Sequence, residues 1–169
     1  MKYYFVAYGS LMDHRALKEH IPDRHLTPVV VRGWKRIFDV RDVKSRNPDV
    51  LNVLKSRGHD FNAMLFQVSH TELRKLVAFE VEYTLARVKV REFLTGKLLC
   101  SSFMVTDRGV GIDTQGRKPN RPYFIECRRA AYRTSEEFGR YYDETTYLSD
   151  GAKVSRWLKR QPSYTTLKE

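Results

Sequence analysis

Apolar and polar positions divide the chain into a strand-rich first part and a helical last third. Residues 3–8 are aromatic or apolar, which predicts a buried first strand. Five further runs have the composition or the alternation of strands, at residues 28–38, 50–54, 61–68, 82–93 and 97–105. In the first of these runs, Gly33 predicts a bulge or bend of the kind found in barrel-like sheets. Residues 57–60 are expected to join the next two strands.

The remaining periodic segments predict helices. One is expected over residues 11–20, and a second opens at Ser69, where Glu72 completes a capping box. Three more fill the C-terminal third, at residues 123–132, 135–147 and 152–160. Because strands come first and helices last, without βαβ alternation, we expect an α+β fold in a single domain over residues 1–169.

Composition places the chain among packed globular proteins, with 41% hydrophobic residues. Cys100 and Cys127 form no disulfide framework, and the five histidines lack metal-site spacing, so we expect neither metal nor cofactor. The sequence indicates no signal peptide and no apolar run long enough to span a membrane. We therefore expect a cytoplasmic protein without a membrane partner. A homo-oligomer is compatible with the sequence.

The net charge of +11 comes from 31 basic and 20 acidic residues. Basic residues cluster at Arg32, Lys35 and Arg36, and again at Lys153, Arg156, Lys159 and Arg160. Such groups are usually solvated faces, although they could contact phosphates. Because no RNP, KH or helix-turn-helix signature accompanies them, we do not expect nucleic acid to be the partner.

The most specific local signal is the turn Tyr8-Gly9-Ser10-Leu11 after the first strand. We expect Gly9 to adopt positive φ and Ser10 to cap the following helix together with Asp13. A strand that turns sharply into a helix gathers backbone N–H groups that can bind an anion. An ordinary first strand followed by a capped helix remains the alternative. Capping explains Ser10 better than a nucleophilic role, because G-x-S-x-G is absent.

A carboxylate occupies an apolar position in the helix after Ser69. Leu73, Leu76 and Val77 stand at i, i+3 and i+4, and the next position on that face is Glu80. Burial at a helix C-terminus would raise the pKa of Glu80 toward the range of a proton shuttle. Alternatively, the helix ends earlier and Glu80 faces water. Glu82 is then the competing candidate base.

These motifs resemble the γ-glutamylcyclotransferase-like (AIG2-like) family. Its members open with a strand that ends in Tyr-Gly-Ser, and they carry a glutamate after a short helix, followed by Tyr and a strand. Phe5 to Met12, Leu76 to Glu80 and the helix opened by Pro122-Tyr123 match this pattern. Val77 and Val81 depart from it, since the family often has Asp and Gly there.

The resemblance implies a bent mixed β-sheet or barrel with flanking helices. It also implies cyclisation of a γ-glutamyl amide to 5-oxoproline with release of an amine. Glu80 would be the general acid–base, Tyr8, Gly9, Ser10, Leu11 and Tyr123 would bind the substrate, and no metal would be needed. A non-catalytic small-molecule-binding member of the same fold and a basic nucleic-acid-binding protein are the alternatives.

Overall fold

A computed structural model describes residues 2–40, 50–79, 83–107 and 118–165. Within these ranges, the chain forms six strands and six helices. The strands are Lys2–Ala7 (β1), Thr27–Val40 (β2), Val50–Ser69 (β3), Tyr83–Glu92 (β4), Leu98–Asp107 (β5) and Thr146–Leu148 (β6). The helices are His14–Lys18 (α1), His70–Phe79 (α2), Arg121–Thr134 (α3), Glu136–Thr145 (α4), Val154–Leu158 (α5) and Pro162–Thr165 (α6).

The strands form one mixed sheet that closes into a barrel. The order is β3-β1-β5-β4-β2-β6, and β2 also pairs with β3, so five strands of the described chain complete the ring. Within the ring, β1 and β5 run parallel, with Phe5 beside Phe103, and the other neighbours are antiparallel. The short β6 adds to β2 outside the ring, also in parallel. This confirms the predicted α+β class and the bent mixed barrel.

Two glycines bend the long β2–β3 ribbon. Gly33 and Gly58 have φ of 80° and 84°, and the register shifts between Arg32 and Trp34. Glycine reaches this left-handed conformation without the steric cost that a Cβ imposes. The bulge predicted at Gly33 is therefore confirmed. The division into strands 50–54 and 61–68 is wrong, because β3 continues through Gly58 as one bent strand.

The helices pack around the barrel through their apolar faces. The capping box at the start of α2 is confirmed, since the Glu72 amide donates to Ser69 Oγ at 3.2 Å and the Ser69 amide donates to Glu72 Oε2 at 2.8 Å. Leu73 and Leu76 are buried as predicted. None of the helices in the described ranges is long and apolar enough to cross a membrane.

The core continues into the C-terminal third through an aromatic cluster. Phe124 of α3 stacks against Phe38 of β2, with ring centroids 5.4 Å apart, and also contacts the rings of Trp157 and Tyr164. Rings of this size bury large apolar areas, and their tilted and edge-on contacts add stabilisation beyond that of the buried area. This cluster holds α3 at a fixed position against the barrel.

Helices α3 and α4 approach closely at Gly139. A Cβ at Gly139 would lie 2.4 Å from Cγ of Tyr132, so the Tyr132 ring occupies the place of a side chain. The Tyr132 hydroxyl donates to Asp143 Oδ2 at 2.9 Å, which holds the ring there. A glycine is thus required by packing, although it lowers the intrinsic helix propensity of α4.

We predict that Gly139→Ala lowers the free energy of unfolding by about 1–3 kcal/mol, because overpacking outweighs propensity. Without the neighbouring ring, the same change should stabilise the helix by up to about 1 kcal/mol. Urea unfolding of Gly139→Ala in the wild-type and Tyr132→Ala backgrounds measures both effects. A loss of equal size in the two backgrounds would contradict the packing explanation.

Candidate functional site

The turn after β1 is tighter than the sequence predicts. Ser10–Met12 form a 3₁₀ turn with Gly9 as its N-cap, and the Met12 amide donates to the Gly9 carbonyl at 3.0 Å. Gly9 has φ of −122°, so the expected positive φ is wrong. The expected Ser10 cap is also wrong, because Asp13 caps α1 by accepting from the Arg15 amide at 2.8 Å. Because the 3₁₀ turn occupies Ser10–Met12, the helix begins at His14 and not at Leu11 as predicted.

Close approach of Tyr123, not backbone conformation, requires a glycine at position 9. A Cβ there would lie 2.7 Å from the Tyr123 hydroxyl oxygen and 3.8 Å from Cys127 Sγ. Real Cβ atoms are not found that close to another heavy atom, so the tyrosine hydroxyl occupies the space that a side chain would need. The structure thus brings together two of the predicted site residues, one from the first and one from the last third of the chain.

The residues at the start of α3 fix the position of Tyr123 next to the Gly9 turn. Asn120 caps the helix by accepting from the Tyr123 amide at 3.2 Å, and Pro122 stands in the first helical turn, where its missing N–H is not needed. The Tyr123 ring meets the Phe38 ring edge-on, with centroids 6.5 Å apart. Its backbone and its ring are therefore both held in place.

The other predicted binding residues differ in exposure. Tyr8 and Leu11 are buried, at 5% and 7% exposure, and belong to the hydrophobic core. Ser10 is half-buried. Accordingly, Tyr8 and Leu11 can reach a ligand through their backbone rather than their side chains, whereas Gly9, Ser10 and Tyr123 form the accessible part of the turn.

Beneath the turn lies a fully buried arginine, Arg36. Its Nη1 donates to the Tyr8 carbonyl at 3.4 Å and to the Asn62 carbonyl at 2.7 Å. Its Nη2 donates to Asn62 Oδ1 at 2.9 Å and to the Tyr142 carbonyl at 3.4 Å, and its Nε donates to Thr146 Oγ1 at 2.8 Å. These contacts match the five N–H donors of a guanidinium. The guanidinium also lies over the Tyr142 ring, 3.9 Å from its centroid.

All of these acceptors are neutral oxygens, so no carboxylate among the described hydrogen-bond partners cancels the charge of Arg36. Burial lowers the pKa of Arg36 to about 10, and it remains charged at neutral pH. Asp143, which also interacts electrostatically with Arg36, forms a buried ion pair with Arg128, at 2.9 Å between Nη2 and Oδ2. A buried cation next to the Tyr8 carbonyl produces a positive potential at the turn.

Strand register shows which end of the barrel this is. Because β5 runs parallel to β1 with Phe103 beside Phe5, the C-terminal ends of the two strands, at Ala7 and Asp107, lie at the same end of the barrel. Asp107 pairs with Tyr83, the first residue of β4. Thus β4 begins at the end of the barrel that carries the Gly9 turn. Glu80 and Glu82, the predicted base and its rival, lie outside the described residues.

Comparison with known proteins adds the fold. No protein-family model matches the sequence, and no curated protein matches it either. Solved structures do match. One named gamma-glutamyl cyclotransferase is 14% identical and superposes with a TM-score of 0.68 over 95% of this chain and 97% of that one. The chain has the γ-glutamyl cyclotransferase-like fold.

Two further structures agree. An uncharacterized protein from Homo sapiens is 15% identical, with a TM-score of 0.69 over 94% of this chain and 96% of that one. An AIG2-like protein from Mus musculus is 17% identical, with a TM-score of 0.51 over 70% of this chain and 86% of that one. The resemblance inferred from the short motifs is thereby confirmed for the fold.

Two residues of this site are not predicted as site residues from the sequence. Arg36 was placed in a basic surface group, which is wrong for this residue. It stands between Trp34 and Phe38 at a spacing of two, and strand periodicity assigns all three to the inward face. Cys127 is fully buried beside Tyr123, and burial raises the pKa of its thiol. A protonated thiol is a poor nucleophile, so Cys127 contributes packing instead.

Among the described residues, no group of three or more His, Cys, Asp or Glu side chains could hold a metal ion. The groups that the turn offers to a ligand are the Tyr123 hydroxyl and backbone N–H groups, within the positive potential of Arg36.

We predict that Gly9→Ala destabilises the protein by about 1–3 kcal/mol through the clash with Tyr123, since the backbone itself tolerates a Cβ. Tyr123→Phe removes the clashing hydroxyl, so the penalty of Gly9→Ala should shrink in that background. Thermal unfolding of both single variants and the double variant gives the coupling energy. Additive effects would show that the contact does not restrict position 9.

We also predict that Arg36→Lys lowers the free energy of unfolding by at least about 3 kcal/mol, because one ammonium cannot reach acceptors on four different residues and leaves carbonyl oxygens unpaired. The exposed Arg57→Lys, on β3 of the same sheet, is the matched control and should stay within about 0.5 kcal/mol of wild type. Urea unfolding compares the two. A mild effect at Arg36 would mean that water replaces the lost donors.

Proposed function

We propose that the chain is a γ-glutamylcyclotransferase-type enzyme. It would cyclise a γ-glutamyl amide to 5-oxoproline and release the free amine. The observation that carries the proposal is the Tyr123 hydroxyl lying against Gly9, at the barrel end where β4 begins, within a fold shared with a protein named gamma-glutamyl cyclotransferase.

The reaction requires two things of the protein, namely a site that holds the substrate in a bent conformation and a group that transfers protons. The α-amine of the substrate attacks its own γ-carbonyl carbon, a five-membered ring closes, and the C–N bond to the departing amine breaks. Holding the substrate bent supplies a high effective concentration of the nucleophile, so no protein nucleophile is needed. The α-ammonium first gives up one proton to become the neutral amine; the amine then loses a second proton as it becomes the ring N–H, and the leaving nitrogen gains one.

We assign this proton transfer to Glu80. Once the α-amine is neutral, a carboxylate can accept the proton that this amine loses on attack and then deliver it to the leaving nitrogen, so one group suffices for both steps. Two features support the assignment. Leu73 and Leu76 define the buried face of α2, which is the face that Glu80 would continue by spacing, and β4 begins at the end of the barrel that carries Gly9.

We assign substrate binding to the turn and to Tyr123. The substrate carries a carboxylate next to its α-amine, and its carbonyl oxygen gains negative charge as the ring closes. Both favour a site with positive potential and positioned donors. Arg36 would act as a positioning residue here, since it holds the Tyr8 carbonyl from inside the barrel without touching the substrate.

We predict that Glu80→Gln lowers the rate of 5-oxoproline formation by about 10²–10⁴-fold or more while preserving the fold. Gln is nearly isosteric, so packing should be retained. The assay offers γ-glutamyl dipeptides, glutathione and γ-glutamyl amines, and follows both 5-oxoproline and the released amine.

Glu82→Gln is the matched control and should keep most of the activity. If Glu82→Gln is inactive and Glu80→Gln is active, the base is misassigned. If wild-type protein converts none of the substrates, the enzyme proposal fails, and binding of the same compounds by calorimetry then tests the non-catalytic alternative.

A further inference from the structure

One hairpin of the barrel exposes apolar side chains. Of the six large hydrophobic residues that are exposed in the described part of the chain, four lie on the β4–β5 hairpin, namely Leu85, Leu94, Leu98 and Leu99. Leu94 at the turn is 79% exposed, the largest fraction of the six. Single exposed leucines are ordinary in proteins, but three of these four, Leu94, Leu98 and Leu99, lie together at the turn end of the hairpin, where Leu98 pairs with Arg91.

The exposure of Leu94 belongs to an ordered turn. Its neighbour Phe93 is anchored against α4, with its ring 4.9 Å from that of Phe138, and its amide donates to the Pro28 carbonyl at 3.0 Å. Arg91 Nη1 donates to the Gly96 carbonyl at 2.9 Å and closes the turn from the other side. The turn is therefore held in a shape that presents Leu94 to solvent.

Cations stand among these leucines. Arg87, Lys89 and Lys97 are exposed, whereas Val88 and Val90 of the same strand point into the barrel. Glu92 is the one acidic residue between residues 84 and 104, and its carboxylate accepts from the Thr95 hydroxyl. We name Leu94, Leu98 and Leu99, together with Lys89 and Lys97, the hairpin patch.

The charge of the hairpin patch selects its partner. A second copy of the chain would bring like charges together, since the protein as a whole carries +11. A nucleic acid would meet leucines where base stacking calls for aromatic rings. An anionic bilayer suits both kinds of side chain. Its acidic headgroups attract the cations, and the leucines can bury their side chains at the boundary of its acyl chains.

We propose that the hairpin patch docks this protein on the surface of an anionic membrane. The expectation of no membrane partner rests on the lack of a spanning segment. Docking at the membrane surface needs no such segment, so that expectation does not apply to surface docking. The proposal is independent of the chemistry assigned to the Gly9 turn.

Sedimentation with lipid vesicles tests the proposal. Wild-type protein should pellet with vesicles of phosphatidylserine and phosphatidylcholine, and remain in solution with phosphatidylcholine alone. Leu94→Ser with Leu98→Ser, and separately Lys89→Gln with Lys97→Gln, should each weaken binding about tenfold or more. The matched control is Leu54→Ser with Lys55→Gln, an exposed pair on β3, which should bind like wild type.

A second measurement detects insertion without relying on loss of binding. The tryptophan emission of Leu94→Trp should shift to shorter wavelength when phosphatidylserine vesicles are added, because the indole enters the interface. Addition of phosphatidylcholine vesicles should leave the emission unchanged.

Three results would overturn the proposal. In the first, wild type stays in solution with the anionic vesicles; in the second, the control pair reduces binding as much as the hairpin variants do. In the third case, a single-stranded oligonucleotide binds wild type, and the lysine variant loses that binding while the leucine variant keeps it. That pattern would assign the patch to nucleic acid.

Discussion

The buried guanidinium of Arg36 is the interaction on which the rest of the site depends. Burying a charge without an ionic partner is costly, and it is tolerated here because each N–H donor finds an oxygen. Those oxygens belong to Tyr8, Asn62, Tyr142 and Thr146, which lie on four different segments of the chain. Any shift of one segment leaves a buried donor unpaired, so the arginine enforces a single arrangement of the barrel, α4 and the Gly9 turn.

The helical third has a corresponding role on the other side of the turn. The rings of Phe38, Phe124 and Trp157 join β2, α3 and α5 in one apolar cluster. This cluster fixes the N-terminal end of α3, and with it the hydroxyl of Tyr123. The small space at Gly9 thus lies between two fixed groups. The hydrogen bonds of Arg36 hold the turn on one side, and the aromatic cluster holds Tyr123 on the other.

Much of the fold could be predicted from residue patterns, because they reflect local physics. The strand alternation, the bulge at Gly33 and the Ser69–Glu72 capping box each depend on neighbours in sequence. The errors concern contacts made at long range. Nothing in the residues around Gly9 reveals that Tyr123 will lie against it, so the glycine was explained by backbone freedom instead.

The candidate site could be predicted only in part, for a related reason. The resemblance implies that Gly9 and Tyr123 both bind the substrate, and the geometry brings the two residues together. Arg36 is not predicted as a site residue because arginine usually lies at the surface. Its inward position is indicated only by its spacing of two residues from both Trp34 and Phe38. The roles of Glu80 and Glu82 remain predictions.

The parallel contact between β1 and β5 also has a consequence for synthesis of the chain. The ribosome releases β1 first, yet its partner strand around Phe103 follows about a hundred residues later, a delay of roughly 5–20 s at typical translation rates. Until then, one edge of the nascent strand lacks its final neighbour, and Tyr123 has not yet emerged to cover Gly9. During that interval the growing chain exposes an unpaired strand edge, which is the feature that lets strands associate with other chains.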